Sequence, residues 1–203
     1  TVPFKQKVIP YLDELTEQAK KTQSVNTVYL GPNGTVGHNT DISGFEMSLQ
    51  NQYNVRDKDI FILGAGGVVP SIISALENMG AKNITISNRT QEKAENLKKI
   101  FNNIKTVNWG KVPDFDMIIN ATAIGLNVND KIELDFSNVK NKFFYDVIYN
   151  PSETDFLKIG KKLGNKVLNG KLMFIHQAYF AFAKWHNLFP KIDNEVIKLL
   201  DND

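Results

Sequence analysis

The 203-residue sequence contains no cysteine, which excludes disulfide bonds and thiolate chemistry. Histidine is scarce: His38, His176 and His186 lie far apart without metal-ligand spacing, so no metal and no histidine chemistry are expected. No apolar run is long enough to span a bilayer, and no basic-then-apolar segment opens the chain. Neither sign of charge dominates. Lys and Arg number 24 against 22 Asp and Glu, a net charge of +2, and the charges are mixed rather than gathered into the basic stripe of a nucleic-acid binder. The default expectation is a soluble, cytoplasmic enzyme acting on a small molecule, with no nucleic-acid or membrane partner. There is no repeat or low-complexity linker, so any domain boundary falls within ordered structure. The first residue is Thr1 rather than Met, which raises the expectation that the natural beginning is missing.

What the chain does have is the run Ile60-Phe61-Ile62-Leu63-Gly64-Ala65-Gly66-Gly67-Val68, followed by a helical pattern and then Ile84-Thr85-Ile86-Ser87-Asn88-Arg89-Thr90. An apolar strand, a glycine turn, a helix and a second apolar strand make a dinucleotide-binding βαβ unit. The glycines permit a tight turn, and a pyrophosphate there meets free N–H groups and the positive end of a helix dipole. The fingerprint is degenerate, with Val69 where a third glycine or alanine is usual, and a glycine turn that binds nothing is the bland alternative. An acidic residue after the second strand would select the ribose 2′-hydroxyl of NAD. Arg89 with polar neighbours suits the 2′-phosphate instead, so NADP is the expected cofactor.

Apolar periodicity from Lys5 to Lys21 predicts one helix, with Pro10 in its first turn or at a kink. Strands are expected at Val25–Leu30 and Thr35–His38 around the turn Gly31-Pro32-Asn33-Gly34. A helix starts at Asn39-Thr40-Asp41, where Thr40 or Asp41 serves as a cap. From Asp59 onward the pattern alternates. Strands are expected at Asp59–Leu63, Asn83–Ser87, near Val107, at Met117–Asn120, at Phe143–Val147 and at Lys166–Leu168. Helices fall at Val68–Met79, Gln91–Phe101, Ser152–Leu163, Met173–Trp185 and Asp193–Leu200. This is an α/β architecture: a Rossmann-like doubly wound parallel sheet, plus the remaining part of an α/β substrate-binding domain. Residues 1–43 are assigned to the substrate domain, 44–168 to the cofactor domain and 169–203 to helices returning to the substrate domain. A hinge is expected near Gly44 and Asn169, and the apolar residues of Met173–Trp185 are expected to be core.

Several further clusters stand in fixed order: Thr1-Val2-Pro3-Phe4-Lys5, Ser24-Val25-Asn26-Thr27, Asn39-Thr40-Asp41-x-x-Gly44-Phe45, Asn120-Ala121-Thr122-Ala123-Ile124-Gly125, Asp146-Val147-Ile148-Tyr149-Asn150-Pro151, and Asn169-Gly170 with Met173 and Gln177. In this order and spacing the chain resembles the shikimate/quinate dehydrogenase family from Thr1 to about Pro190. The resemblance implies reversible hydride transfer between NADPH and 3-dehydroshikimate, giving shikimate in aromatic amino-acid biosynthesis. It implies Lys5 and Asp41 as the catalytic pair, with Asn26, Gln177, Thr1 and Tyr149 as substrate contacts. Gly64, Ala65, Gly66, Gly67 and Val68 would hold the pyrophosphate, and Asn88, Arg89 and Thr90 the 2′-phosphate. Thr122 would line the cofactor cleft. Reducing a ketone builds negative charge on oxygen, so a cation beside it and a delivered proton are what the chemistry needs. Which of Lys5 and Asp41 donates the proton is left open by the sequence.

The chain departs from the family in three places. The strand-helix-strand portion expected before Thr1, with its Ser-x-Ser carboxylate anchor, is not in the sequence, and its lack would leave association-prone strand edges. Ile42 stands where a glycine usually follows the aspartate, and is expected to crowd the substrate. Gly66-Gly67-Val68-Val69-Pro70 replaces a small-and-basic run. Two other functions remain open: a quinate/shikimate dehydrogenase that accepts NAD, and a non-catalytic NADP-binding regulatory module. Either a monomer or a homodimer fits.

Overall fold

The computed structural model describes residues 3–127 and 130–199, so Thr1 lies outside the described residues. Two sheets form. The smaller is built from β1 (Glu14–Leu15), β2 (Thr27–Gly31) and β3 (Gly34–His38) in the order β1-β3-β2. Strands β2 and β3 are an antiparallel hairpin, whereas β1 runs parallel to β3.

The segment 5–21 is not one helix. It breaks into turns, a short 3-10 helix at Ile9–Tyr11, β1, and helix α1 (Glu17–Thr22). Pro10 has no N–H to donate and ends the first helical attempt within one turn. The Asp13 carboxylate accepts from the backbone N–H and the hydroxyl of Thr35, each at 2.7 Å, and pins the chain beside β3. Thr16 then starts α1 by accepting from the N–H of Ala19. These polar anchors outweigh an apolar period that would suit a single helix.

After α2 (Asp41–Leu49), strands and helices alternate: β4 (Asp59–Leu63), α3 (Val69–Asn78), β5 (Asn83–Ser87), α4 (Gln91–Leu97), β6 (Ile104–Val107), β7 (Met117–Asn120), β8 (Phe143–Asp146), α5 (Asp155–Lys162), β9 (Lys166–Leu168), α6 (Lys171–His186) and α7 (Asn194–Lys198). Strands β4 to β9 form one parallel sheet in the order β6-β5-β4-β7-β8-β9. The order reverses between β4 and β7, which opens a crevice at their carboxyl ends where doubly wound folds bind ligands. The central strands are apolar on both sides because both faces are covered. Ile60 and Ile62 enter one core cluster, and Phe61 and Leu63 enter the other.

Helix α2 packs on both α3 and α6. A Cβ on Gly44 would lie 2.9 Å from the backbone N of Gln177 and 3.0 Å from the carbonyl of Met173. Gly44 is therefore a close-approach position, where α6 packs against α2. Ile42 does not crowd the site: it is buried with Phe45 and Leu49 in the main core, one helical step away from the face carrying Asp41. Helix α6 is only partly core. Met173, Ile175 and Ala181 are buried, whereas Phe174, Phe182 and Trp185 are exposed, because among the described residues α2 covers one side of the helix.

Candidate active site

Asp41 is the first residue of α2, and Thr40 before it has helical backbone angles with no side-chain cap bond. The Asp41 side chain does not cap the helix either. One carboxylate oxygen, Oδ2, pairs with the ammonium of Lys5, and Oδ1 accepts from Asn26 Nδ2 at 2.9 Å. Both members of the ion pair are buried, Lys5 at 9% and Asp41 at 5% exposure. Such a pair persists because each charge faces its opposite and the carboxylate has a further donor in Asn26; a lone buried charge would be costly. Two neighbours fix its geometry. Asn39 Oδ1 accepts from the Asp41 backbone N–H at 3.0 Å. Asn26 Oδ1 accepts from the Thr40 N–H at 2.9 Å, which turns the Asn26 amide nitrogen toward Asp41.

The glycine turn follows β4. Gly64 has φ +109°, and a Cβ there would lie 2.7 Å from the Ala121 carbonyl oxygen, so only glycine fits. At Gly66 and Gly67 a Cβ would meet nothing within 4 Å, so a ligand can approach both backbones closely. Val68 precedes α3 and makes no side-chain cap bond. In the first turn the Val69 N–H donates to the Gly66 carbonyl at 3.0 Å, Pro70 has no N–H and the Ser71 N–H donates to the Val68 carbonyl at 3.1 Å, so the helix contributes its dipole while the glycine turn presents its own backbone. Lys5, Lys7 and Lys93 line the same cleft as Ala65, Gly66 and Gly67, with a volume of about 480 Å³. The glycine turn and the ion pair therefore share one opening.

A second cleft of about 200 Å³ is lined by Asn88, Arg89, Thr90, Lys93, Trp109, Thr122, Ala123 and Ile124. Arg89 and Lys93 are exposed, and neither side chain has an ion pair or hydrogen bond among the described residues. The Asn88 amide nitrogen donates to the Thr90 carbonyl at 2.7 Å and shapes the turn that presents Arg89. Lys93 borders both clefts and was not singled out from the sequence; a second cation in the first turn of the helix that follows Arg89 is the signal that could have found it. Thr122 lies at this cleft as expected, but its hydroxyl is committed within its own loop: it donates to Asn120 Oδ1 at 2.7 Å and accepts from the Ile124 N–H at 3.0 Å. Its contribution is shape rather than a free hydroxyl.

The other expected substrate contacts lie apart from these clefts. Tyr149 is half-buried and stacks on Phe174 with ring centroids 4.5 Å apart. Gln177, on α6 against Gly44, donates to the Phe174 carbonyl at 3.0 Å. His38 lies near the hairpin end with Nδ1 3.0 Å from the Thr16 hydroxyl, and burial holds its pKa down to about 4. Among the described residues no helix is long and apolar enough to cross a membrane.

The residues fit a dinucleotide. A glycine turn with open space beside Gly66 and Gly67 admits phosphate, the positive end of the α3 dipole follows it, and the unpaired side-chain cations of Arg89 and Lys93 stand where a further phosphate would lie. A doubly wound sheet whose crevice also opens on an ammonium–carboxylate pair belongs to a nicotinamide-nucleotide-dependent oxidoreductase. Two family models match: "Shikimate / quinate 5-dehydrogenase" over residues 46–152, and "Shikimate dehydrogenase substrate binding domain" over residues 1–28. The NADP(+) shikimate dehydrogenase of Pelagibacter ubique is 55% identical over 203 residues, spanning 99% of this chain and 77% of the relative. The shikimate dehydrogenase structure from Aquifex aeolicus superposes with a TM-score of 0.89 at 35% identity, over 100% of this chain and 76% of that one. A quinate dehydrogenase from Corynebacterium glutamicum, in complex with NAD, also gives 0.89, at 32% identity over 99% and 75%. The chain belongs to the shikimate dehydrogenase family.

Proposed function

We propose that this chain catalyses the NADP-dependent interconversion of 3-dehydroshikimate and shikimate. The observation that carries the reading is the buried Lys5–Asp41 pair opening onto the cleft that holds Gly66 and Gly67. When bound, the nicotinamide supplies the hydride. Lys5 is the member of the pair that lines the cleft, with Asp41 behind it, so Lys5 delivers the proton to the carbonyl oxygen and its charge stabilises the developing alkoxide. Asp41 holds the ammonium in place, and Asn26 holds Asp41. In the reverse direction the same amine takes up the proton of the hydroxyl.

Gly64 to Val68 take the pyrophosphate, and Asn88, Arg89 and Thr90, joined by Lys93, take the 2′-phosphate. Tyr149, Gln177 and Thr1 complete the substrate contacts; for Thr1 the support is the family resemblance. We assign residues 1–43 and 169–203 to the substrate side and 44–168 to the cofactor side; the packing of α6 on α2, which begins at Asp41, supports placing 169–203 with the substrate. Assembly as a monomer or a homodimer is read by sedimentation velocity. The test of function is consumption of NADPH with 3-dehydroshikimate, compared with shikimate and quinate oxidation using NADP+ and NAD+. Turnover with shikimate and NADP+ that is lost in Lys5→Met supports the assignment. Preferential turnover of quinate with NAD+ overturns the substrate and cofactor assignment.

A further inference from the structure

Asp146 ends β8 directly opposite Asn120, which ends β7. It is fully buried, has no ion pair among the described residues, and takes no part in the chemistry above. Its carboxylate is nevertheless saturated. Oδ1 accepts from Asn120 Nδ2 at 3.1 Å and from the Ile148 N–H at 3.0 Å, and Oδ2 accepts from the Thr154 hydroxyl at 2.6 Å.

A carboxylate only accepts, so it dictates the direction of every bond around it. Asn120 must present its NH2 group to Asp146, which leaves Oδ1 facing the loop. There Oδ1 takes both the N–H and the hydroxyl of Thr122, at 3.1 and 2.7 Å, while Nδ2 also reaches the Ile124 carbonyl at 3.0 Å. The Thr122 hydroxyl, having donated, accepts from Ile124. On the other side, Thr154 must donate to Asp146, and its oxygen then accepts from the Leu157 N–H as the cap of α5. The loops after β7 and β8 also touch: a Cβ on Gly125 would lie 3.2 Å from Thr154 Cγ2 and 3.4 Å from Ile148. One of these loops carries Thr122, Ala123 and Ile124 into the Arg89 cleft, and the other carries Tyr149.

We propose that Asp146 is a positioning residue for the cofactor: its carboxylate sets the hydrogen-bond polarity of the 120–125 loop and holds Thr122, Ala123 and Ile124 as the wall facing Arg89. The proposal rests on the cofactor reading above. Burial pushes the Asp146 carboxyl up to about 6, against the pull of the Thr154, Ile148 and Asn120 bonds, so the carboxylate stands in its site at neutral pH with a stability cost.

The test uses the full chain and two readouts. NADPH affinity is measured by fluorescence, and hydrogen exchange is measured at the Thr122 and Ile124 amides, with the amides of β4 as the internal control. Asp146→Ala removes all three acceptor contacts and is expected to weaken NADPH binding about tenfold or more. Asp146→Asn keeps one acceptor toward Asn120 and is expected to regain most of that loss. In Asp146→Ala, exchange at Thr122 and Ile124 is expected to quicken about tenfold while β4 stays protected. A role confined to overall stability would lower the melting temperature without moving the affinity of the folded protein. The proposal is overturned if folded Asp146→Ala binds NADPH within twofold of the parent, or if Thr122 and Ile124 keep their protection. Should the alanine variant not fold, Asp146→Asn and Thr154→Val decide it: each is expected to weaken binding about threefold, and unchanged affinity and exchange in both overturn it. A parent chain that binds no NADPH overturns the cofactor reading itself, and the proposal with it.

Discussion

Removing either member of the Lys5–Asp41 pair is expected to cost both stability and turnover, with a strong departure from additivity. Asp41 accepts from two donors, Lys5 Nζ and Asn26 Nδ2. Asn26 cannot turn around, because its Oδ1 is held by the Thr40 N–H. An asparagine in place of Asp41 must therefore aim its NH2 at one of two donors, so Asp41→Asn leaves a buried ammonium facing a donor or an amide facing an amide. Lys5→Met leaves a carboxylate at 5% exposure with the Asn26 amide as its remaining side-chain partner. Each single change is expected to destabilise the fold by about 3–5 kcal/mol, the usual cost of orphaning one buried charge. In the double variant no buried charge is left, and the substituted amide can offer its oxygen to Asn26. The double should therefore cost about 2–3 kcal/mol less than the sum of the singles. Urea unfolding of the four proteins at neutral pH measures the cycle. Shikimate oxidation should fall about 100- to 10,000-fold in Lys5→Met, the range of a lost general acid–base group. Additivity within about 0.5 kcal/mol would refute the coupling, and near-parental turnover in Lys5→Met would remove Lys5 from the chemistry.

Arg89→Ala should weaken NADPH binding about 10- to 100-fold, the effect of losing charge-assisted bonds to a phosphate, and leave NADH nearly unchanged; parallel fluorescence titrations check this. Gly64→Ala forces a Cβ to 2.7 Å from the Ala121 carbonyl at φ +109°. About 1–3 kcal/mol of backbone strain and a displaced 120–125 loop should show as a lower melting temperature together with weaker NADPH binding. Two buried groups give opposing pH slopes. Asp146, raised from 3.8 to about 6, contributes stability that is full below 3.8 and lost as pH rises through 6. His38, lowered from 6.5 to about 4, contributes stability present above 6.5 and lost as pH falls through 4. Melting temperatures between pH 6 and 4 should thus fall more steeply in Asp146→Asn than in the parent, and less steeply in His38→Gln.

The centre of the large sheet was legible because β4, β7 and β8 are buried on both faces. Asp59–Leu63 and Met117–Asn120 form over the residues expected as short apolar runs, and Asn83–Ser87 as an alternating one bounded by turn residues. Segment 5–21 was not legible. Its apolar period is genuine, but Asp13 and Thr16 find partners on β3 and in α1 that no local pattern reveals. The site divides in the same way. The glycine turn and Arg89 announce themselves through backbone and charge requirements. The Lys5–Asp41 pair joins residues far apart in sequence and came from family resemblance rather than spacing. Asp146 stood only as a member of a family cluster, and no role was read for it or for Thr154, because their role lies in where their lone pairs point. Ile42 was misplaced because a side chain next to a catalytic residue in sequence is rotated about 100° away on a helix.

What fixes the Lys5–Asp41 pair relative to the glycine-turn cleft is α2 rather than the loops. Asp41 begins this helix, and Ser48 near its end hydrogen-bonds the buried Tyr145 hydroxyl at 2.9 Å, one residue before Asp146. Between these points Gly44 lets α6 approach to backbone contact and brings Gln177 to the same face. Asn39, just before the helix, reaches Ser71 of α3 at 2.9 Å while holding the Asp41 backbone N–H. Ser24 adds a bond at 3.3 Å to the carbonyl of Gly67 in the glycine turn itself. The ammonium–carboxylate pair and the pyrophosphate turn are thus gauged against each other by buried bonds at one end of α2 and by the sheet at the other. A hydride acceptor must be held about 3–3.5 Å from its donor, with a tolerance of about half an ångström. Here that tolerance is held by packed helix and buried amide, leaving the loops after β7 and β8 to shape the ligand's surroundings rather than to set the distance.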